Sequence, residues 1–439
     1  LPARGKSLIA QKIVRYLLWL SIESKCFNVG SYRRALAGPA LATADFFSPD
    51  NEDGLKTRRK AIDMAIEDMM RWFTEQNGVV GIIDATNLTR ERRANLLKLC
   101  RENLIEPIFL ESWCDDQDLI LYNIADVKTT SPDYADVDPK TATKDFLLRI
   151  LHYEKNYETM NAEDDSDLTF IKLINVGSQI IINRIESYLE SRIVYYVMNL
   201  HIKTRSIWLL RHGESEYNLT GKIGGDSNLS ERGWRYAKKL PEIVLKSLGE
   251  ENKHTNLTVW TSTLKRTQQT ASFLPYEKKL EWKALDELDA GECDGMTYEE
   301  IEEQFPEDFK ARDDNKYEYR YRGGESYRDI VIRLEPIIME LERQENILII
   351  THQAVLRCLY AYFMNVPQEE SPWMSIPLHT LIKLEPRAYL TLVSRIKADI
   401  PAVSTYKERG TSQLGELELK ASMSRDLISD SANEKSKPK

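Results

Sequence analysis

Ser206-Ile-Trp-Leu-Leu-Arg-His-Gly-Glu-Ser215 is an apolar run that ends abruptly in polar groups. Its four consecutive apolar residues predict a strand buried on both faces, as in a parallel sheet covered by helices. Arg211-His212-Gly213-Glu214 then falls at the strand's C-terminal end, the edge where open α/β sheets bind ligands. The residue types there suit phosphoryl transfer. An imidazole nitrogen attacks phosphorus, a neighbouring guanidinium neutralises the equatorial oxygens, and Gly213 permits close approach of backbone.

Working outward, two further apolar runs, Leu257-Thr-Val-Trp-Thr261 and Ile347-Leu-Ile-Ile-Thr351, read as strands of the same sheet. The first is followed by Arg266, a second phosphate clamp, and the second by His352. Asp286-Glu287 supplies a carboxyl group able to protonate a leaving oxygen. Two histidines and two arginines, each just beyond an apolar strand, predict one four-point cage around a phosphoryl group. A segment rich in tyrosine and arginine, with Tyr298, Arg312, Lys316 and Tyr327, and Arg357 one turn past His352, predicts a collar for a second phosphate and for sugar hydroxyls.

The first half shows another alternation of strands and helices. Leu1-Pro-Ala-Arg-Gly-Lys-Ser7 matches the last seven positions of the phosphate loop G-x-x-x-x-G-K-[ST], so the chain reads as trimmed by the first glycine. Gly5 turns backbone N–H groups inward, Lys6 sets a cation on the β/γ-phosphates, Ser7 is a Mg²⁺ ligand, and the following helix aims its positive end at the anion. Cys26-Phe-Asn-Val29, Val79-Val-Gly-Ile-Ile-Asp84 and Pro107-Ile-Phe-Leu-Glu-Ser112 read as strands. Asp84 ends the second, placed to orient Mg²⁺ or take a hydroxyl proton. Arg33 and Arg34 follow the first strand, and Thr89-Arg-Glu-Arg-Arg93 follows the second. This clustering predicts a small phosphorylated substrate beside a nucleotide.

At 439 residues the chain exceeds one ordinary core. The expected division is 1–203, 204–402 and a disordered tail at 403–439. A net charge of −9 argues against nucleic-acid partners. No apolar run is long enough to span a membrane. The five cysteines are scattered, with no Cys-x-x-Cys pair, which fits reduced thiols and a cytoplasmic protein.

Taken together, the phosphate loop, Asn28-Val-Gly-Ser-Tyr-Arg-Arg34, Asp84-Ala-Thr-Asn-Leu-Thr-Arg-Glu-Arg-Arg93, Ser131-Pro-Asp-Tyr134 and the Arg-His-Gly-Glu-Ser stretch resemble the bifunctional 6-phosphofructo-2-kinase/fructose-2,6-bisphosphatase family, most of all its fungal bisphosphatase members. The resemblance implies an α/β fold class: an N-terminal P-loop kinase-like domain with a parallel sheet and a C-terminal histidine-phosphatase domain of the phosphoglycerate-mutase type. It makes His212 the phosphorylated histidine, Arg211, Arg266 and His352 its phosphoryl-binding neighbours, and Glu287 the acid. Asn218, Tyr298, Arg312, Lys316, Tyr327, Gln353 and Arg357 then hold the sugar and its 6-phosphate. In the kinase half it places Gly5, Lys6, Ser7 and Asn123 on ATP, and Asp84 and Lys128 near the transferred group. Arg33, Arg58, Thr86, Arg92, Arg149 and Tyr153 fall on fructose 6-phosphate. ATP and Mg²⁺ are the implied cofactors of the kinase half, none is implied for the phosphatase half, and a homodimer is the implied assembly. Two alternatives stay open at this point: a broader phosphatase or mutase, and a kinase half that only binds nucleotide and regulates.

Overall fold

The computed structural model describes residues 1–38, 43–130, 133, 138–200, 205–249, 257–387 and 391–405, without the side chains of 122, 125–130, 139 and 176. The described strands fall into three sheets. In the N-terminal half, β1 (Ser24–Asn28) pairs in parallel with β2 (Val80–Asp84), setting Asn28 opposite Asp84. Val29, read from the sequence as strand, instead opens the helix Val29–Ala37, because the Asn28 side chain accepts from the Ser31 N–H and caps it.

Three more strands complete this half. β3 (Phe109–Trp113) and β4 (Phe170–Ile174) pair in parallel, and β5 (Gln179–Asn183) returns antiparallel to β4. The single turn Asn175–Gly177 joins β4 to β5. So short a connection allows only an antiparallel neighbour, since a parallel one needs a crossover of a dozen residues or more. The expected parallel sheet is therefore divided between two sheets and carries one antiparallel edge.

The C-terminal half is one six-stranded sheet. Its members are β6 (Ile207–Arg211), β7 (Thr258–Thr261), β8 (Lys279–Glu281), β9 (Ile347–Thr351), β10 (Thr380–Pro386) and β11 (Thr391–Lys397), in the order β11-β10-β6-β9-β7-β8. β6, β9, β7 and β8 run in parallel, while β10 is antiparallel to both neighbours. Every residue of β6 and β9 is buried. The two-residue period sends Ile207, Leu209, Ile347 and Ile349 into one core and Trp208, Leu210, Leu348 and Ile350 into the other. Because β6 and β9 are paired Arg211 to Thr351, the residues after them emerge side by side. That register builds the site.

The halves share a core. Trp19, at the end of the P-loop helix Lys6–Trp19, packs among the phosphatase residues, and Met339 packs among those of the kinase half. The fully buried Glu342 accepts from Lys12 Nζ and Arg15 Nη2 at 2.8 Å each and from Arg205 Nη2 at 2.7 Å. The expected boundary near 203 lies outside the described residues, as does the tail from 406 onward.

Candidate active sites

His212 and His352 follow β6 and β9 directly, and their rings lie 5.2 Å apart between centroids. His212 Nδ1 is 2.7 Å from the Gly213 carbonyl oxygen. A carbonyl only accepts, so Nδ1 carries the proton and Nε2 keeps its lone pair. Burial, then Arg266 and Arg211, hold the His212 imidazole well below its ordinary pKa. His352 is lowered in the same way, by burial first and then by Arg266 and His212. Both are neutral at neutral pH, the state a nitrogen nucleophile requires. His352 Nε2 pairs with Ser262 Oγ at 2.7 Å, a positioning contact from the β7 end that sequence reading missed.

The arginines close the cage. Arg211 donates to the Ile376 carbonyl at 3.0 Å, and its Nε is buried without a partner. Arg266 is anchored on the Gly225 carbonyl at 2.6 Å. Burial lowers Arg211 to about 9, with Arg357 and Arg266 acting in the same direction and Glu287 opposing them. It remains cationic at neutral pH. The cage is thus buried and positive, with donors set for an anion.

The Glu287 carboxylate accepts N–H bonds from Gln353 at 3.1 Å, Ala354 at 3.2 Å and Leu288 at 3.0 Å. It therefore sits at the N-terminus of the helix Gln353–Met364, beside the two histidines. Its sequence neighbour Asp286 instead binds Thr263 and Lys283, away from the cage. In the collar, Arg312 donates to Tyr298 Oη at 3.0 Å and Tyr321 Oη at 2.8 Å, and Arg357 donates to Tyr327 Oη at 3.0 Å. Lys316 lies on the Pro372 carbonyl at 3.1 Å and over the Trp373 ring. Asn218 Oδ1 accepts from the Ser215 N–H at 3.0 Å, so that oxygen closes the turn after the cage.

Two features of the loop and the chain end bear on the cage. Gly213, read as permitting close approach of backbone, meets the backbone of Gly233: a Cβ on it would lie 2.9 Å from the Gly233 carbonyl oxygen, and one on Gly233 would lie 2.1 Å from that of Glu214. Both glycines let the helix Glu231–Leu248 abut the catalytic loop. The tail was read as starting at 403, yet Val403 N–H donates to Glu214 at 2.9 Å and Thr405 Oγ1 accepts from Arg211 Nη1 at 2.7 Å. Gln353 Nε2 also reaches the Thr405 carbonyl, at 3.4 Å. The last described residues lie on the cage itself.

In the kinase half, Gly5 adopts φ 75°, the left-handed conformation that glycine takes without strain, immediately before the helix. Ser7 Oγ donates to Asp84 Oδ2 at 2.6 Å, and Asn28 Nδ2 donates to the same oxygen. Lys6 Nζ donates to the Leu1 carbonyl at 2.6 Å, and desolvation lowers it to about 8. A cavity of 730 Å³ is lined by Gly5, Lys6, Ser7, Arg33, Arg58, Asp84, Thr86, Arg92, Asn123, Arg149 and Tyr153 together. Not all of these face it with free donors. Arg58 donates to the carbonyls of Gly54, Phe47 and Ser48, Arg92 to Asn87, and Asn123 to the Ala3 carbonyl, so these three also hold the loops in place. Lys128 lies on the helix Gln117–Thr130 with its side chain outside the described set. Phe47 and Asp133, both missed in the sequence, lie among the cavity's arginines.

The two sites define a class: a P-loop phosphotransferase fused to a phosphatase built on paired histidines. The profile of 6-phosphofructo-2-kinase matches residues 1–204, and that of the histidine phosphatase superfamily (branch 1) matches 207–398. A fructose-2,6-bisphosphatase of Saccharomyces cerevisiae is 65% identical over 431 residues, covering 98% of this chain and 94% of that protein. The rat 6-phosphofructo-2-kinase/fructose-2,6-bisphosphatase 3 is 49% identical over 412 residues, 93% of this chain and 73% of that protein. The human form 4 is 48% identical over 411 residues, 93% of this chain and 86% of that protein. The chain belongs to the bifunctional 6-phosphofructo-2-kinase/fructose-2,6-bisphosphatase family.

Proposed function

We propose that the C-terminal half hydrolyses the 2-phosphate of fructose 2,6-bisphosphate and that the N-terminal half makes the same ester from fructose 6-phosphate and ATP. The observation that carries the first activity is the His212–His352 pair, neutral and enclosed by Arg211 and Arg266 with Glu287 beside it. His212 Nε2 attacks the phosphorus; the P–N bond forms as the P–O2 bond breaks, and Glu287, which takes up a proton when the negative charge of the bound phosphate lies beside it, delivers that proton to O2. Water then attacks the phosphohistidine while Glu287 takes back a proton, releasing phosphate and restoring the imidazole. The arginines stabilise the transferring group electrostatically. Tyr298, Arg312, Lys316, Tyr327, Gln353 and Arg357, with Asn218, surround the sugar and its 6-phosphate.

In the kinase half, the Ser7 hydroxyl and the Asp84 carboxylate are adjacent oxygen donors, a set that fits Mg²⁺ with ATP phosphates completing its shell. Bound there, the ion supplies charge neutralisation between the phosphates. Lys6 and the loop amides hold the nucleotide, and Asp84, which lines the same cavity, takes the proton from O2 of the sugar. Arg33, Arg58, Arg92, Arg149, Thr86 and Tyr153 hold fructose 6-phosphate, and Lys128 lies near the transferred group. A cavity furnished for both substrates favours a working kinase over a purely regulatory module. Five free cysteines support a cytoplasmic location, and the family resemblance supports a homodimer, which light scattering measures. No helix among the described residues is long and apolar enough to cross a membrane.

Paired assays on one preparation test this reading. Labelled ATP with fructose 6-phosphate should yield labelled bisphosphate in a His212→Ala background, and that background should lose bisphosphatase turnover. Faster turnover of phosphoglycerates than of fructose 2,6-bisphosphate would reject the substrate assignment.

A further inference from the structure

His379 stands immediately before β10 in Ile376-Pro-Leu-His-Thr380, a stretch that the transfer chemistry leaves without a task. The residue is 1% exposed. Its ring stacks on Tyr236 of the helix Glu231–Leu248, with centroids 4.4 Å apart and planes inclined by 17°. Both ring nitrogens are engaged. Nε2 lies 3.0 Å from the Glu214 backbone nitrogen, and Nδ1 lies 3.0 Å from the Ile400 carbonyl oxygen. A backbone N–H only donates and a carbonyl only accepts, so Nε2 is the acceptor and Nδ1 carries the proton. That describes a neutral ring. Burial, the largest influence, holds this imidazole below its ordinary pKa; Arg232 and Arg211 act in the same direction, and the Ile400 carbonyl and Glu214 oppose them.

The Glu214 N–H belongs to the same peptide group as the Gly213 carbonyl, and that carbonyl accepts the His212 Nδ1 proton at 2.7 Å. One planar amide therefore lies between two imidazoles, with its N–H on His379 and its C=O on His212. The amide needs holding, because Gly213 has no Cβ to restrict rotation of the bond before it. We propose that His379 is a positioning residue for the nucleophile: through the Gly213–Glu214 amide it fixes the carbonyl that keeps the proton on His212 Nδ1. The inference rests on the reading of His212 as the nucleophile. If the carbonyl turns away, the proton divides between the two nitrogens of His212, and Nε2 is no longer always free to attack. Attack through Nε2 also leaves the ring cationic with its remaining proton on Nδ1. An amide whose N–H is engaged presents a stronger carbonyl acceptor to that charge.

The test compares two variants in the full chain: His379→Gln, whose side-chain carbonyl reaches the place of Nε2, and His379→Leu, which fills the space without an acceptor. Residue 379 has φ 53°, and both variants carry a Cβ there, so backbone strain is common to them. In single-turnover rapid quench with fructose 2,6-bisphosphate, His379→Leu should phosphorylate His212 at least about tenfold more slowly, with the half-saturating concentration within about twofold of wild type. His379→Gln should recover most of that loss, and kinase turnover should stay near wild type in both. Equal phosphorylation rates in the two variants, fast or slow, overturn the proposal. A second measurement needs neither variant to fold. In NMR of the wild-type chain with isotope-labelled imidazole nitrogens, His379 and His212 should each be protonated on Nδ1 alone at neutral pH; His379 protonated on Nε2 overturns the proposal. If the wild-type chain forms no phosphohistidine, the reading of His212 as nucleophile fails. The positioning role then stands if His212 loses its single tautomer in His379→Leu and keeps it in His379→Gln, and it falls if the tautomer is the same in both.

Discussion

Glu342 of the phosphatase half accepts from Lys12 of the P-loop helix at 2.8 Å, and neither side chain is more than 5% exposed. Arg15 and Arg205 complete the ring, with Tyr196 and Tyr362 Oη against the same carboxylate. The helix that presents the nucleotide loop is thus fastened to the phosphatase by one buried anion. These cations hold its pKa well below the ordinary value against the opposing effect of burial, the largest single influence.

Removing that anion takes away the charge on which Lys12, Arg15 and Arg205 converge. Glu342→Gln should destabilise the chain by about 3–5 kcal/mol in urea unfolding, because a broken buried pair strands its partner charges. The same substitution should lower kinase and bisphosphatase activity together. Because the carboxyl group is depressed in the fold, its stabilisation is present above its unfolded pKa and is lost as pH falls through the folded one.

The histidine cage has the opposite acid signature. His212 and His352 stay neutral in the fold, while in the unfolded chain they charge below about pH 6.5, so the unfolded state takes up protons that the native state does not. From pH 7.5 to 5.5 these two residues should cost about 2–3 kcal/mol of stability. A His212→Gln/His352→Gln variant should lack that part of the pH slope when unfolding is measured at both values.

Gly233→Ala places a methyl group 2.1 Å from the Glu214 carbonyl oxygen, so the helix Glu231–Leu248 must move away from the catalytic loop. A loss of about 1–3 kcal/mol is expected in unfolding. Bisphosphatase kcat should fall with it, while the kinase activity, on a separate sheet, stays near wild type.

Asp84→Asn keeps the shape of the residue but removes the charge beside Ser7 and Asn28. Kinase turnover should fall at least about a hundredfold, the scale of a lost general base. Bisphosphatase turnover on the same protein should be unaffected, which assays of both reactions will show.

Much of this was legible because chemistry follows strand ends. An apolar run that stops at Arg-His-Gly-Glu, or at Thr-His-Gln, marks both the sheet and the edge where its ligand binds, and register then brings the histidines together. Residues that act across the fold left no such mark. Glu342 sits in Glu335-Pro-Ile-Ile-Met-Glu-Leu-Glu-Arg343, where it reads as one more solvated charge; only the packing of a helix 330 residues earlier in sequence makes it a hub. Phe47 ends the single short turn Ala44–Phe47, too brief for a period to report its burial, and Asp133 stands in a stretch of sequence with no apolar periodicity. Thr405 follows the last described strand, where composition already turns polar, and its place on Arg211 depends on how β10 and β11 return the chain to β6.

The central claim is a covalent phosphohistidine on His212. Fructose 2,6-bisphosphate labelled at the 2-phosphate, mixed with the full chain and quenched in base within a turnover, should leave acid-labile label on the peptide containing Arg211-His212-Gly213, and none in His212→Ala. Full turnover with no label on that peptide, or with label that persists in His212→Ala, would contradict the account.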